Sequence, residues 1–458
     1  MPGAERPIGP RAATALLLVE GYCALAVEMI ALRALVPVAG HSVAVTSLVV
    51  TAFLAALALG YRAGGAFAGN AREKVARNLA AAGAWSAFWL SRFGVALAFE
   101  ATGALPPLVQ VAVYAVVGVG PVAYLLAQAV VLLVGSAGPE TAPGKAGAAF
   151  AASTLGNVAG GLATALVVMQ LVGVAGAVAL VSGLLVLAAL AAWARAGWRL
   201  WAAAVVVAGV AGANLVVERD AYVLTTAHAD YAVEADAAGA RTLRVNAQNA
   251  SREDGAGTGH AYIEWIEDRV YGNLPEGRPA RVLVIGAGGF TFGRGRPGDA
   301  AEIVFVDVDA RLAPVADAFL APATRRGRYA AMDGRAYLLR HEVAFEAIVL
   351  DAYADRTAVP SHLLTREFFA LARSRLSEDG TLYVNLIVAP QPDRLSTRTD
   401  RTLRSVFAAC WTQELGEASR WRNRVYSCAR GALDGDATIY GDSSMTAGVD
   451  GGVDGRRD

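Results

Sequence analysis

Charge is scarce in this chain. Only 17% of its 458 residues are Asp, Glu, Lys or Arg, against about 25% in an ordinary soluble domain. The two signs cancel to a net charge of zero, so there is no basic footprint for nucleic acid. Cysteine is scarcer still, at three residues. Cys23 lies in an apolar run and reads as packing. Cys410 and Cys428 have neither a CxxC spacing nor a spaced histidine, which excludes a zinc site and lends no support to a disulfide framework. What the chain has in excess is apolar residues: 55% are hydrophobic, and the mean hydropathy is +0.42.

That excess is uneven. Residues 12–217 are dense in Ala, Val, Leu and Gly, whereas 218–440 have the composition of a soluble protein, with the boundary at Val217-Glu218. The stretch 441–458, rich in Gly and Asp, reads as a disordered tail. A helix needs about 20 apolar residues to cross hydrocarbon. Seven segments qualify: 12–37, 43–61, 78–99, 107–134, 148–171, 173–194 and 198–217. The first is too long, and too polar at Glu20 and Glu28, for a cleaved signal peptide. Gly156, Gly160 and Gly161 mark a face for close helix packing. Glu28, Arg33, Arg92 and Glu100 are charges in or near spans. They read as paired or snorkelling groups, or as a polar site for a cationic substrate.

Basic residues sit before span one (Arg6, Arg11), in 62–77 (Arg62, Arg72, Lys74, Arg77) and in 195–199 (Arg195, Arg199). With seven spans these share one side, and the positive-inside rule places the C-terminal half outside. The chemistry of the C-terminal half, set out next, argues for the cytoplasm. A hairpin at Gly118-Val119-Gly120-Pro121, or an interfacial 198–217, would reconcile the two. The expectation is a multi-pass plasma (inner) membrane protein with a cytoplasmic soluble domain.

In 218–275, the alternation of Thr242-Leu243-Arg244-Val245 predicts a small β-rich region with a hairpin. From 276 to 440, strand and helix signals alternate, which predicts a parallel sheet with helices on both faces. Ligands bind at the carboxyl ends of such strands. RVLVI ends in Gly286-Ala287-Gly288-Gly289, where glycines allow close backbone approach. EIVFV ends at Asp307, where a nucleoside-binding fold places an acid on the ribose. Asp333-Gly334 follows, placed to border the base, and FEAIVL ends at Asp351. A full GxGxxG is absent, because its third glycine position is Thr291. Asp355 and His362 lie in the loop after Asp351, and His362 reads equally as a site residue or as part of a turn. No metal is implied.

IGAGGFT, FVDVD, MDGRAYL and LDAYADRTAVPSHLLTREFF together resemble the spermidine synthase (polyamine aminopropyltransferase) family. EGYCALAVEMIALRALVPVAGHS and GNVAGG are similar to its branch with N-terminal transmembrane helices. The resemblance implies an α-helical transmembrane bundle, then an α/β Rossmann-like domain of the S-adenosylmethionine-methyltransferase type. It implies that Gly286, Gly288, Gly289, Asp307, Asp333 and Gly334 hold decarboxylated S-adenosylmethionine or S-adenosylmethionine. It further implies that Asp351 is the catalytic acid and that Gln248, Tyr262, Glu264, Asp355 and His362 line the substrate pocket. The implied activity is aminopropyl transfer to an amine such as putrescine. A methyltransferase-like enzyme and a non-catalytic nucleoside- or polyamine-binding transporter or sensor stand as alternatives. The partners expected are a small-molecule amine, the lipid bilayer and a second copy in a homodimer. The chain departs from the family pattern in three places. The glycine loop lacks its Asp, Tyr262-Ile263-Glu264 lacks the family's His, and the two loop acids are four residues apart rather than three.

Overall fold

The computed structural model describes residues 8–40, 42–135, 142–193, 197–246, 248–254, 259–273, 275, 277–320, 325–353, 359–391, 393–417 and 421–431. The chain divides into two compact units, Met1–Ala232 and Val233–Asp458. Asp355 and the tail 441–458 lie outside the described residues.

The first unit is helical. α1 (Pro10–Ala39) opens on a proline, which is already set for the first helical turn. α2 (Val43–Gly65) is capped by Ser42, whose hydroxyl accepts from the Val45 amide, and α3 (Ala71–Trp89) by Asn70, which accepts from Glu73. The span expected at 78–99 is broken at Leu90-Ser91. There the Ser91 hydroxyl caps a separate short helix, α4 (Arg92–Ala101). α5 (Pro107–Tyr114) runs through a π turn at Ala115–Val119 into α6 (Gly120–Gly135). The segment 118–121, offered as one of two ways to reconcile orientation and chemistry if it formed a hairpin, is therefore part of a continuous helix. α7 (Ala142–Ala163), a π turn at Thr164–Val168 and α8 (Met169–Ala192) follow without interruption up to Gly173. Gly173 has φ +74, a conformation that breaks the helix and suits glycine. α9 (Trp198–Ala221) ends the run.

Among the described residues, five segments are long and apolar enough to cross a membrane: Pro10–Ala39, Val43–Gly65, Pro107–Gly135, Ala146–Ala192 and Trp198–Ala221. The fourth combines two of the expected spans and contains the Gly173 break. α3 is less apolar, because its first turns carry Arg72, Glu73, Lys74 and Arg77. The boundary drawn at Val217-Glu218 falls inside α9. Glu218 is buried, because its carboxylate accepts from the Ala175 amide and from the Thr225 hydroxyl just past the helix.

Helix directions follow from side-chain neighbours. Gly156, Gly160 and Gly161 abut Leu18, Tyr22 and Leu25 in rising order, so α1 and α7 run parallel; any Cβ at Gly156 or Gly160 would strike the α1 backbone. Gly60 and Gly64 abut Tyr124 and Gln128, so α2 and α6 are parallel too. Arg72 donates to the Ala192 carbonyl while Gly83 meets Ser182, so α3 and α8 are antiparallel. Trp85 donates to Val117 and Asn78 to Gln128, so α3 and α6 are antiparallel.

β1 (Leu224–Thr225) pairs antiparallel with β2 (Asp230–Ala235), and β2 carries the chain across the division between units. In the second unit the expected hairpin is β3 (Arg241–Val245) and β4 (Gln248–Glu253), followed by α10 (Ala261–Gly272). The main sheet comprises β5 (Ala280–Ile285), β6 (Ala301–Asp307), β7 (Arg328–Ala331), β8 (Phe345–Leu350), β9 (Leu376–Val388), β10 (Ala409–Leu415) and β11 (Arg422–Ala429). Their order is β10-β11-β9-β8-β5-β6-β7. Neighbours from β9 to β7 are parallel, and β11 runs antiparallel to both β9 and β10. This is the Rossmann-like, methyltransferase-type arrangement. β5 and β8 are continuous apolar runs because helices cover both faces of a parallel sheet. Those helices include α11 (Leu312–Leu320), α12 (Gly334–Arg340), α13 (Arg366–Ser374) and α14 (Arg394–Arg404).

The cysteine reading is overturned. Cys410 and Cys428 stand directly opposite each other on β10 and β11, with Cα atoms 4.1 Å apart, and form a disulfide. Spacing along the chain carries no trace of this pair, which exists only through strand register.

Candidate active site

The site is built at the carboxyl ends of four adjacent parallel strands. Ile285 of β5 lies level with Val306 of β6 and Leu350 of β8, so Gly286, Asp307 and Asp351 emerge together. The backbone locks them in place: the Gly286 amide donates to the Val306 carbonyl and the Asp351 amide to the Ile285 carbonyl, both at 2.8 Å. Gly286 has φ +93, and a Cβ there would collide with the Asp351 carbonyl. Only glycine lets the two strand tips close up.

Asp307 braces the glycine turn. One carboxylate oxygen accepts from the Ala287 amide at 3.2 Å, the other from its own neighbour Asp309 at 3.1 Å. Gly289 donates to the Ser251 hydroxyl at 2.8 Å, so β4 lies against the turn, and Gly288 also faces Ser251. Phe290 turns into the core against Phe305 and Tyr329.

Asp351 is the focus. Tyr262 donates from its hydroxyl to Oδ2 at 2.9 Å, and Asn385 of β9 donates from its amide to Oδ1 at 2.8 Å. Asn385 in turn accepts from Asn423 of β11 at 3.0 Å, and the Tyr353 hydroxyl donates to its carbonyl. Burial pushes the Asp351 carboxyl up to about 6, against the opposing pull of the Asn385 and Tyr262 hydrogen bonds. Burial and the neighbouring carboxylate push Tyr262 well above its ordinary range, so it stays a donor. A carboxylate poised near neutrality and aimed from a strand tip can act as a general base.

The other expected residues are placed as follows. Asp333 caps α12, accepting from the Ala336 amide at 2.9 Å, and pairs with His362 Nε2 at 2.7 Å. Burial raises the Asp333 carboxyl, but these two partners outweigh it and hold the group below its ordinary value. Gly334 packs its bare face onto the Ile285 side chain. Gln248 opens β4, and none of the hydrogen bonds to Asp351 comes from it. Glu264 sits two residues beyond Tyr262, about 200° round the helix, and its charge acts on Glu267. Asn385, Asn423, Tyr353 and His260 went unread in the sequence. Asn385 had a signal, as an amide inside the apolar strand LYVNLIV. His260 precedes α10 and stacks on Tyr262 with ring centres 5.8 Å apart. Burial, helped by Arg252, lowers its pKa and keeps it neutral.

Comparison with known proteins finds a curated sequence relative and solved structures of similar fold. A curated polyamine aminopropyltransferase from Vibrio vulnificus is 28% identical over 174 residues, 36% of this chain and 55% of that protein. The chain resembles the spermidine synthase family. It spans about half the length of the curated relative that it matches. A probable spermidine synthase from Corynebacterium glutamicum superposes with a TM-score of 0.40 at 19% identity, covering 49% of this chain and 86% of that one. A spermidine synthase in complex with the transition-state analogue AdoDATO gives 0.35 at 19% identity, covering 44% and 71%. No family model matches the sequence.

Proposed function

We propose that the second unit is a spermidine-synthase-like transferase domain, in a membrane-bound protein, that moves an aminopropyl group from decarboxylated S-adenosylmethionine to a diamine such as putrescine. The observation that carries the reading is the Asp351 carboxylate at a strand tip, held by Tyr262 and Asn385 beside the Gly286–Gly289 turn. The residues present fit an adenosyl group. The turn carries only glycines and one alanine, and Asp307 stands beside it at the end of β6, where its carboxylate is proposed to meet the ribose hydroxyls. The donor supplies a carbon made electrophilic by its sulfonium.

Everything else falls to the protein. An alkylammonium has pKa near 10.4, so freeing its lone pair at pH 7 costs about 4–5 kcal/mol. Ionised Asp351 binds the ammonium and accepts its proton as the N–C bond forms and the C–S bond breaks, releasing a neutral thioether. Holding the amine in line with the carbon supplies the rest. Tyr262 and Asn385 fix the carboxylate's orientation. Glu264, Asp355, Gln248 and His362 are proposed for the distal amine, and Asp333 for the base.

A second reading is amine or nucleoside binding without transfer. The Cys410–Cys428 disulfide favours it, because such bonds persist in oxidising compartments rather than in the cytosol.

Calorimetry on detergent-solubilised full-length protein separates the cofactor forms. Decarboxylated S-adenosylmethionine is expected to bind more tightly than S-adenosylmethionine, and spermidine is expected with putrescine present. Binding of neither form sinks the adenosyl reading; binding without product supports the second one.

A further inference from the structure

We infer that the second unit lies on the non-cytoplasmic side of the membrane. The inference goes beyond the function proposed above and rests on none of it. It comes from the helix directions of the first unit, the placement of basic residues, and the disulfide.

The helix directions fix the parity. α1, α3, α7 and α9 run one way; α2, α5–α6 and α8 run the other. α7 climbs past Leu18, Tyr22 and Leu25 of α1. Beyond the break at Gly173, α8 returns past the same stretch, with the Cys23 thiol 3.8 Å from the Val181 carbonyl. At the break, the Val174 and Ala175 amides are capped by the Thr225 hydroxyl and the Glu218 carboxylate from the far end of α9. Arg92, which follows α3, pairs with Glu218 and Asp230, and Arg33 near the end of α1 donates to Asp230 at 2.5 Å. The ends of α1, α3, α7 and α9 therefore gather at one pole, and the start of α1 lies at the other. Neither of the reconciling features holds. 107–135 is one continuous pass, and α9 is packed along α8 and α3, with Asn214 accepting from the Arg92 amide.

The charges then decide which pole is cytoplasmic. Arg11, Arg62, Arg72, Lys74, Arg77 and Arg199 all lie at the pole where α1 starts. The opposite pole has Arg33 and Arg92, both neutralised by buried carboxylates, and Arg219 beside Asp220. Positive residues in short loops stay in the cytoplasm. That puts the exit of α9, and the chain after it, outside. The disulfide is an independent witness. Cys410 and Cys428 are both buried and paired within the second unit, and cytosolic thiols are kept reduced.

The test uses the full-length protein in intact bacterial cells. In a Cys23→Ser background, Asp299→Cys reports on an exposed loop of the second unit and Ala68→Cys on the α2–α3 connection. A membrane-impermeant maleimide is expected to label Asp299→Cys equally before and after permeabilisation. It should label Ala68→Cys about tenfold less before it, as the positive-inside orientation demands. The reverse pattern overturns the inference. A measurement on the unmodified chain guards against misfolded variants. Cells are lysed directly into denaturant containing N-ethylmaleimide, so that buried thiols are reached as well, and alkylation is read by peptide mass. Cys410 and Cys428 left unalkylated support the inference; both alkylated overturn it. Neither outcome touches the cofactor calorimetry, so each proposal fails alone.

Discussion

At the residue scale the account turns on one carboxyl. Asp351 sits at about 6 because burial disfavours its charged form more than Tyr262 and Asn385 favour it. As a base it has to be ionised, so kcat/KM is expected to fall about tenfold per pH unit below 6. The same shift bears on stability. The folded pKa lies above the ordinary 3.8, so the folded state holds this proton more tightly. Its stabilising contribution is complete below about 4, erodes between 4 and 6, and is gone above 6. Asp351→Asn removes the cost of the buried charge. It is expected to raise unfolding stability at pH 7.5 by about 1–3 kcal/mol while abolishing turnover, with urea midpoints at pH 4 and pH 7.5 as the check. A variant that loses both stability and activity contradicts the assignment.

At the scale of elements, Gly286 and the β10–β11 pair are the sensitive points. Gly286→Ala forces a side chain into left-handed backbone against the Asp351 carbonyl. A loss of about 1–3 kcal/mol is expected, together with loss of adenosyl binding, measured by thermal unfolding with and without ligand. Cys410→Ser opens a cross-link between adjacent strands. Its removal is expected to cost about 2–4 kcal/mol, while addition of reductant to that variant has no further effect. How far the sequence disclosed these elements depends on the kind of signal. The strands RVLVI, EIVFV and FEAIVL and the acids at their ends were readable because a buried parallel strand is a continuous apolar run. Asn385 was readable in principle, as an amide in such a run. The disulfide, the His362–Asp333 pair and the capping of the Ala175 amide by Glu218 were not. Each depends on register or on a long-range approach that leaves no local pattern. Glu218 misled for the same reason: a charge at the end of an apolar stretch looks like the end of a membrane span until its buried partners are known.

Across the whole molecule, the first unit is held by a polar cluster as much as by apolar packing. Asp230 is fully buried between Arg33 and Arg92, and burial, which alone would raise its carboxyl, loses to the two guanidinium groups. Removing one partner of such a cluster strands the others. Asp230→Ala is expected to cost about 3–5 kcal/mol, seen as a lowered midpoint in detergent, whereas a surface change such as Glu73→Ala should alter it little. The cluster also joins the ends of α1, α3 and α9 at one pole, and with the basic pole opposite it gives the unit a defined orientation. The sequence contained that orientation from the start, in the distribution of Lys and Arg. What the structure adds is the parity of the passes.

The most direct test is the pH dependence of spermidine formation from putrescine and decarboxylated S-adenosylmethionine by the full-length protein, run beside Asp351→Asn. The account predicts an acid limb centred near pH 6 in the parent and at least a hundredfold loss in the variant. A variant that matches the parent in rate and in pH profile would show that Asp351 does not take the proton.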